Sequence, residues 1–567
     1  MSDKRLNVVL CWHMHQPQYR DTASGQYLLP WTYLHAMKDY IDMAEIIEKQ
    51  AKAKAVVNFA PILLEQIDDY AKQLTGFIEH GQAIHDPLLA ALASPALPNH
   101  DQQKLDLIRQ CIRANEKHLI LPNEKFRSLV NIAKQIDEAP EILGYLSEQY
   151  LVDILVWYHL VWMAEAAHRN EPLIAELVEK KQGYTLHDRQ ALLKVIAKLV
   201  NSVIPRYKKL AETGQVELSM NPYAHPIIPL LIDLTSTYDA MPDSDMPGAR
   251  QYPNGEQRAR WHMEHGLNVF ERYFGFKPKG CWPSEGAVST DTISLLGEYN
   301  LQWAATGEAV LRNSMHKLNR SDEMEHSNGL HKPYKVADSS VACFFRDDGL
   351  SDLIGFTYSD WHADDAVANF IHHLETIAQS CDDPEQQVVS IIMDGENAWE
   401  HYPNNGYYFL NALYEKLSSH DGIELTTFGE LLASDYQPAH LDKLMAGSWV
   451  YGTFSTWIGD KDKNRGWDML IEAKRAYDVV MASKHLSNED RDAATRQLAL
   501  CEGSDWFWWF GDYNPAEAVS DFEHLFRLHL AHLYAILGVE PPEALSHVFT
   551  RGQGNPEGGG AMRRGHE

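Results

Sequence analysis

The sequence predicts an α/β fold: an incomplete β/α barrel with a large helical insertion and a helical C-terminal domain. Three observations predict it. Short apolar, β-branched runs recur between helical stretches, which is the pattern of parallel βα units. Two of these runs stop on a carboxylate followed at once by glycine, at Glu285-Gly286 and Asp394-Gly395. Residues from about 60 to 210, and again beyond about 440, carry the three- and four-residue apolar spacing of helices instead of strand alternation.

The first run, residues 6–12, leads into His13-Met14-His15-Gln16-Pro17. Residues two apart in a strand face the same way, so His13 and His15 read as paired site histidines. The spacing of Leu63-Leu64-Ile67 and Leu151-Leu155-Tyr158-Trp162 marks residues 60–210 as a helical insertion with little chemistry, its Trp157 and Trp162 read as core. The most apolar segment, residues 150–167, is interrupted by Asp153, His159 and Glu165, which predicts a buried helix and not a membrane span. Residues 215–220 form the next strand and lead to His225. Glu217 lies within it, where an unpaired charge is costly, so it is expected to be paired or to face the pocket. A helix over 255–273 precedes strands at 280–285, 301–306 and 341–347, the last followed by an apolar stretch at 352–356. Strands at 388–394 and 423–427 complete a count of seven, near the size of an eight-stranded barrel but short of it.

The stretch at 388–402 organises the rest. Val388-Val389-Ser390-Ile391-Ile392-Met393 reads as a strand buried on both faces, and Asp394-Gly395-Glu396-Asn397-Ala398-Trp399-Glu400 follows at its C-terminal end. That end is where α/β barrels place their chemistry. Cys281-Trp282-Pro283-Ser284-Glu285-Gly286 repeats the design. Two carboxylates flanking one bond are the minimal equipment for glycoside hydrolysis.

The whole chain sets bounds. It has 567 residues, is 45% hydrophobic and carries a net charge of −29, which argues against nucleic acid or an anionic membrane as partner. Its six cysteines form no CxxC pair and read as reduced thiols of a cytoplasmic protein; the N-terminus carries no signal-peptide pattern. Six of the fifteen tryptophans fall between 449 and 509, and with interleaved acids they suit a carbohydrate groove, Trp508 and Trp509 reading equally well as core. Asp460-Lys461-Asp462-Lys463-Asn464 suggests a calcium loop, but Arg465 and Ile471 stand where glycine and glutamate are needed. The expected division is a barrel over 1–440, helices over 441–550 with one helix at 466–498 and another at 516–537, and a disordered tail over 551–567.

Collected, these stretches resemble glycoside hydrolase family 57, in its α-amylase and amylopullulanase-like branch. The resemblance rests on five motifs in the family's order: His15-Gln16-Pro17; Gly214 to Leu218 with Tyr223 and His225-Pro226; Trp282-Pro283-Ser284-Glu285; Asp394 to Glu400; and Ser455-Thr456-Trp457-Ile458-Gly459-Asp460 through Trp467. It extends to Ser504-Asp505-Trp506-Phe507-Trp508-Trp509. The resemblance implies a (β/α)7 barrel and a retaining mechanism on α-glucosidic bonds, with Glu285 as nucleophile and Asp394 as general acid/base, their carboxyl groups about 5–5.5 Å apart. Asp394 would then start protonated, raised by burial and by the neighbouring charge. The substrate-binding residues expected are His13, His15, Glu217, His225, Trp282, Glu396, Trp399, Trp457, Asp460, Trp467, Asp505 and Trp506, with Trp457 stacking on sugar. No cofactor or metal is called for. A 4-α-glucanotransferase or branching enzyme would use the same pair. Two further readings are a metal-dependent deacetylase or α-mannosidase recruiting His13, His15 and His225, for which no strand-end aspartate completes the set, and a catalytically silent glucan-binding protein.

Overall fold

The computed structural model describes residues 4–326, 329–434, 436–483, 485–554 and 562. Seven parallel strands form a closed ring: β1 Leu6–Met14, β2 Ala55–Phe59, β3 Val216–Met220, β4 Gly280–Cys281, β5 Trp303–Gly307, β6 Ala342–Arg346 and β7 Val388–Asp394. Neighbours in sequence pair in order, and β7 returns to β1 with His13 opposite Asp394. The fold is thus the expected (β/α)7 barrel.

The strand count agrees with the sequence, but the membership does not. β2 was not anticipated. It is five residues long, and Asn58 interrupts its apolar run because this side chain is needed inside the barrel, where it bonds to His13 and Ser219. The strand expected at 423–427 is Ile423–Leu425, which lies outside the ring and pairs with the start of β1. Residues 353–357 are a wide helical turn.

Alternation along the strands sets what faces inward. Val9 and Cys11 of β1, Val56 of β2, and Val388 and Ile392 of β7 belong to a separate inner cluster with Trp303, Phe344 and Phe428. Continuing by twos, β1 brings His13, β2 brings Asn58 and β7 brings Asp394 to the C-terminal mouth. On β3 the same face begins with Glu217, one residue into the strand, and therefore at the opposite end of the barrel.

Helices from Pro61–His80 to Leu186–Glu212 occupy the span between β2 and β3. The last of these opens on a capping box, Thr185 with Asp188. The expected membrane-excluded helix is Glu148–Val161, buried on most of its circumference, and no described helix is long and apolar enough to cross a membrane. After the barrel, the helix expected over 466–498 is two: Lys461–Ser483 and Asn488–Cys501, the second started by the Ser487 side chain accepting from the Asp490 amide. Asp505–Trp509 and Ala516–Leu537 follow. Of the expected tail, residues 551–554 are held by backbone hydrogen bonds from Gln553 to Asp512 and from Gly554 to Asn514; 555–561 and 563–567 lie outside the described residues.

Candidate active site

The mouth of the barrel opens into a cavity of about 470 Å³ bordered by His13, His15, His225, Glu285, Asp394, Glu396 and Asp505. Glu285 arrives there by a sharp turn. β4 is only two residues long, and the chain then bends so that Glu285 adopts φ 58°, a left-handed conformation unusual for a residue with a side chain. Gly286 follows at φ 56°, and a Cβ there would lie 2.9 Å from the Trp282 ring. Backbone and side chain of Glu285 are both clamped by Trp449: its amide donates to the Glu285 carbonyl (3.2 Å) and its indole Nε1 to Oε2 (3.1 Å). At Asp394 the turn is made by Gly395, whose amide donates to the His13 carbonyl (2.7 Å) and whose missing side chain leaves room for Met14 Sδ. Asn397 Nδ2 donates to Asp394 Oδ2 (3.0 Å).

Between the two carboxylates run three histidines. His15 and His225 stack at 3.8 Å between ring centroids, and His13 stacks on His225 at 5.1 Å. Burial pushes the His13 pKa down to about 3 and that of His225 well below the usual range, so both are neutral. Hydrogen counting then fixes their tautomers. Asn58 Nδ2 donates to Ser219 Oγ (3.1 Å), leaving its Oδ1 to accept from His13 Nδ1 (2.8 Å). His13 Nε2 must therefore accept from His225 Nε2 (3.2 Å), and His225 Nδ1 accepts from Ser504 Oγ (2.8 Å). Ser504 Oγ also lies 3.4 Å from Glu285 Oε1. His15 Nε2 bonds both oxygens of Asp505, at 2.9 and 3.0 Å. Glu396 turns back to accept from the His15 amide (3.1 Å) and Gln16 Nε2 (3.0 Å).

The carboxylates are held away from their ordinary values. Burial, then the charges of Asp394 and Asp505, push Glu285 up to about 8. Burial pushes Asp394 up to about 6, partly opposed by the Asn397 hydrogen bond and by the charges of His15 and Arg346. The two carboxyl groups thus feel one another's charge. Such a pair titrates as a unit and carries one proton between the two values.

Other expected site residues stand elsewhere, and local geometry gives the reason for each. Glu217 is paired at the far end of the barrel, accepting from Trp303 Nε1 (2.7 Å) and the Gly429 amide (2.7 Å). Trp282 is fully buried beneath the cavity, edge-on to Trp449. Trp399 packs against Trp12 and donates to the Gly395 carbonyl (2.9 Å). Trp457 has no exposed surface; Trp467 donates to its carbonyl and stacks on Phe507. The expected stacking of Trp457 on sugar is therefore corrected: it is core. Asp460 caps the Lys461–Ser483 helix through the amides of Asp462 and Lys463. Trp506 is buried, donating to the Leu500 carbonyl (2.8 Å).

The aromatic walls come instead from Trp31, Trp162, Trp449, Trp508 and Trp509. Helical spacing separates them from their neighbours: Asp505, Trp508 and Trp509 lie three and four apart on one face of a single turn, while Trp506 and Phe507 take the other. The insertion is also not chemically idle, since Trp162 and Arg113 reach the cavity; Arg113 meets Asp521 (2.8 Å) and Glu517 of the Ala516–Leu537 helix across the rim.

A metal set hidden from the sequence does gather here, because its acid lies 490 residues from His15. His15, His225 and Asp505 bring donor atoms within 4.8 Å of one another. The two rings are stacked at an interplanar angle of 15°, so their in-plane lone pairs run side by side instead of converging on one point, and the set fits an ion poorly.

Two carboxylates at the mouth of a parallel barrel, sharing a proton under aromatic walls, are the equipment of a glycosidase. Residues 9–444 match the family described as glycosyl hydrolase family 57, and the chain belongs to that family. Among solved structures, it is similar to a branching enzyme from Thermococcus kodakaraensis (14% identity, 94% of this chain and 90% of that one, TM-score 0.57). It is similar also to an α-amylase from Thermotoga maritima (14%, 94% and 93%, 0.55) and to a 4-α-glucanotransferase from Thermococcus litoralis (14%, 94% and 60%, 0.52). None of the curated proteins compared matches the chain.

Proposed function

We propose that the protein is a retaining glycoside hydrolase acting on α-glucans through a covalent glycosyl-enzyme, with Glu285 as nucleophile and Asp394 as general acid/base. The observation that carries the reading is the coupled pair: two buried carboxyl groups from β4 and β7 border one cavity, and the charge of Asp394 raises the Glu285 pKa. Asp394 delivers the proton to the departing glycosidic oxygen as Glu285 attacks the anomeric carbon; water then displaces Glu285 as Asp394 takes its proton. These roles need the shared proton on Asp394. A glycosidic oxygen accepting from Asp394 favours that form, and Trp449 Nε1 steadies the ionised Glu285. The substrate class rests on the activities named for similar structures: branching enzyme, α-amylase and 4-α-glucanotransferase. Six free cysteines, five of them buried, support a cytoplasmic site of action.

The test uses Asp394→Asn with an α-glucosyl donor bearing an activated leaving group, which departs without a proton. The variant accumulates a glycosyl-enzyme, and mass spectrometry finds the sugar on Glu285. Azide then releases it as the α-azide, with retained configuration. A β-azide, or normal turnover by Glu285→Gln, refutes the roles. Products from maltoheptaose and pullulan separate hydrolysis, debranching and transfer.

A further inference from the structure

Ala342 and Phe344 of β6 face the inner cluster, and the next residue by twos is Arg346, at the C-terminal mouth. It is 4% exposed and stands opposite Gly307 of β5 and Ser390 of β7. It is not among the residues that border the cavity at the barrel mouth. A cation buried just beneath that cavity can act on the two carboxyl groups only through what it touches and through its charge.

Its guanidinium is fixed at three nitrogens. Nε donates to the Ile392 carbonyl (2.8 Å), Nη1 to Asp348 Oδ1 (2.6 Å) and Nη2 to Asp352 Oδ1 (2.7 Å). A planar fork bonded in this way cannot turn. Ile392 stands two residues before Asp394 on β7, so Nε is directed at the strand that carries Asp394, while the two acids take the terminal nitrogens. The charge of Arg346 accordingly opposes the raising of Asp394 by burial.

The guanidinium also lies over Trp449, its central carbon 5.6 Å from the ring centroid, within the range of a cation–π contact. Trp449 is confined on its other sides. A Cβ at Gly307 would lie 2.6 Å from the Trp449 Cα, one at Gly286 would lie 3.2 Å from its Cβ, and Trp282 packs edge-on at 5.3 Å. The ring so held gives its Nε1 hydrogen to Glu285 Oε2. A cation over an indole draws electron density from the ring and makes its N–H a stronger donor.

We propose that Arg346 is a positioning residue that joins the two carboxyl groups: it seats the Trp449 indole against Glu285 and sets a positive charge beside the strand end of Asp394. The proposal rests on the reading of Glu285 as nucleophile and Asp394 as acid/base. Arg346 touches neither sugar nor reacting atoms, so it should govern turnover and the pH profile and leave substrate binding nearly alone.

The experiment compares wild type with Arg346→Gln and Arg346→Lys, thermal melting checking that each folds. α-Maltosyl fluoride with azide as acceptor needs neither acid nor base, so its turnover reads the Glu285 side. Arg346→Gln should lower that kcat at least about tenfold with KM within about threefold of wild type. In a Trp449→Phe background, which lacks the indole N–H, the same change should cost less than about threefold. Equal cost in both backgrounds, or a loss that falls in KM, overturns the proposal. Maltoheptaose reads the Asp394 side. Without the cation, and with Glu285, His15, Asn397 and Asp505 still in place, protonated forms are favoured; both limbs of kcat/KM against pH should rise by at least about half a unit in Arg346→Gln and return in Arg346→Lys. Unmoved limbs overturn it. Should Arg346→Gln fail to fold, Arg346→Lys decides: it keeps the charge without the flat fork, so its limbs should match wild type while turnover of the fluoride falls about threefold, and unchanged turnover overturns the proposal. If wild type turns over neither donor, the assigned reaction fails instead, and NMR of the Trp449 indole N–H, identified by its loss in Trp449→Phe, decides the seating. Exchange with water at least about tenfold faster in Arg346→Gln supports it, and an unchanged rate overturns it.

Discussion

Replacing Glu285 with glutamine should make the protein more stable than wild type by an amount that grows with pH. The folded protein holds this carboxyl up at about 8, against an ordinary value of 4.5. A raised value means that the folded state prefers the protonated form. The stability it brings is complete below the ordinary value and is lost as pH rises through the folded one. At about 1.36 kcal/mol per unit the full shift is worth about 4–5 kcal/mol, of which about 3 kcal/mol is already lost by pH 7. Glutamine keeps an acceptor for Trp449 and cannot ionise, so any fixed packing difference cancels when the two proteins are compared across pH. With an unfolding entropy of about 2.1 cal/mol/K per residue, about 3 kcal/mol moves the melting temperature of a chain this long by about 2–3 °C. Thermal melts of both proteins at half-unit steps from pH 4 to 9 should show the gap opening between about pH 4.5 and 8, then levelling. A gap that stays constant, or one that closes as pH rises, would refute the idea that burial and the Asp394 charge strain this carboxylate.

The rate should follow the same pair. kcat/KM should trace a bell with limbs near about 6 and about 8, because below the first both carboxyl groups are protonated and above the second neither is; a single limb, or both limbs below pH 5, contradicts the shared proton. Trp457→Ala should cost about 3–5 kcal/mol of stability as a core truncation while leaving the KM of folded enzyme near wild type. Trp509→Ala should weaken substrate by about 1–3 kcal/mol with little loss of stability, and denaturant melts alongside steady-state kinetics distinguish the two; the opposite pattern would return Trp457 to the sugar.

Much of this architecture was legible in the chain because buried parallel strands are apolar on both faces, and a carboxylate ending such a run stands out. Glu285 and Asp394 were found that way. β2 was not, since Asn58, its most useful residue, breaks the pattern that announces a strand. The tryptophans mislead for a different reason. Aromatic richness marks both a sugar wall and a core, and only the direction of each side chain separates them. On the Asp505–Trp509 turn the spacing held that information; at Trp457 it did not, because the surrounding chain has no regular period. Asp505 meets His15 across 490 residues and Ser504 meets Glu285 across 219, relations no local pattern carries.

That distance in sequence has a consequence for how the molecule is made. The His15 amide meets Glu396 over a separation of 381 residues, and its ring meets Asp505 over 490. At about 5–20 residues per second, the ribosome supplies Glu396 about 20–80 s after His15. For that time β1 has an unpaired edge where β7 will lie, and its apolar face has no neighbour on that side. The barrel cannot close early from its own N-terminal half, and contacts of such range make folding slow. The residues that complete the cavity at the barrel mouth are therefore among the last to be synthesised. A nascent chain released before Asp505 would carry both carboxylates proposed as nucleophile and acid/base and still lack the partner of His15.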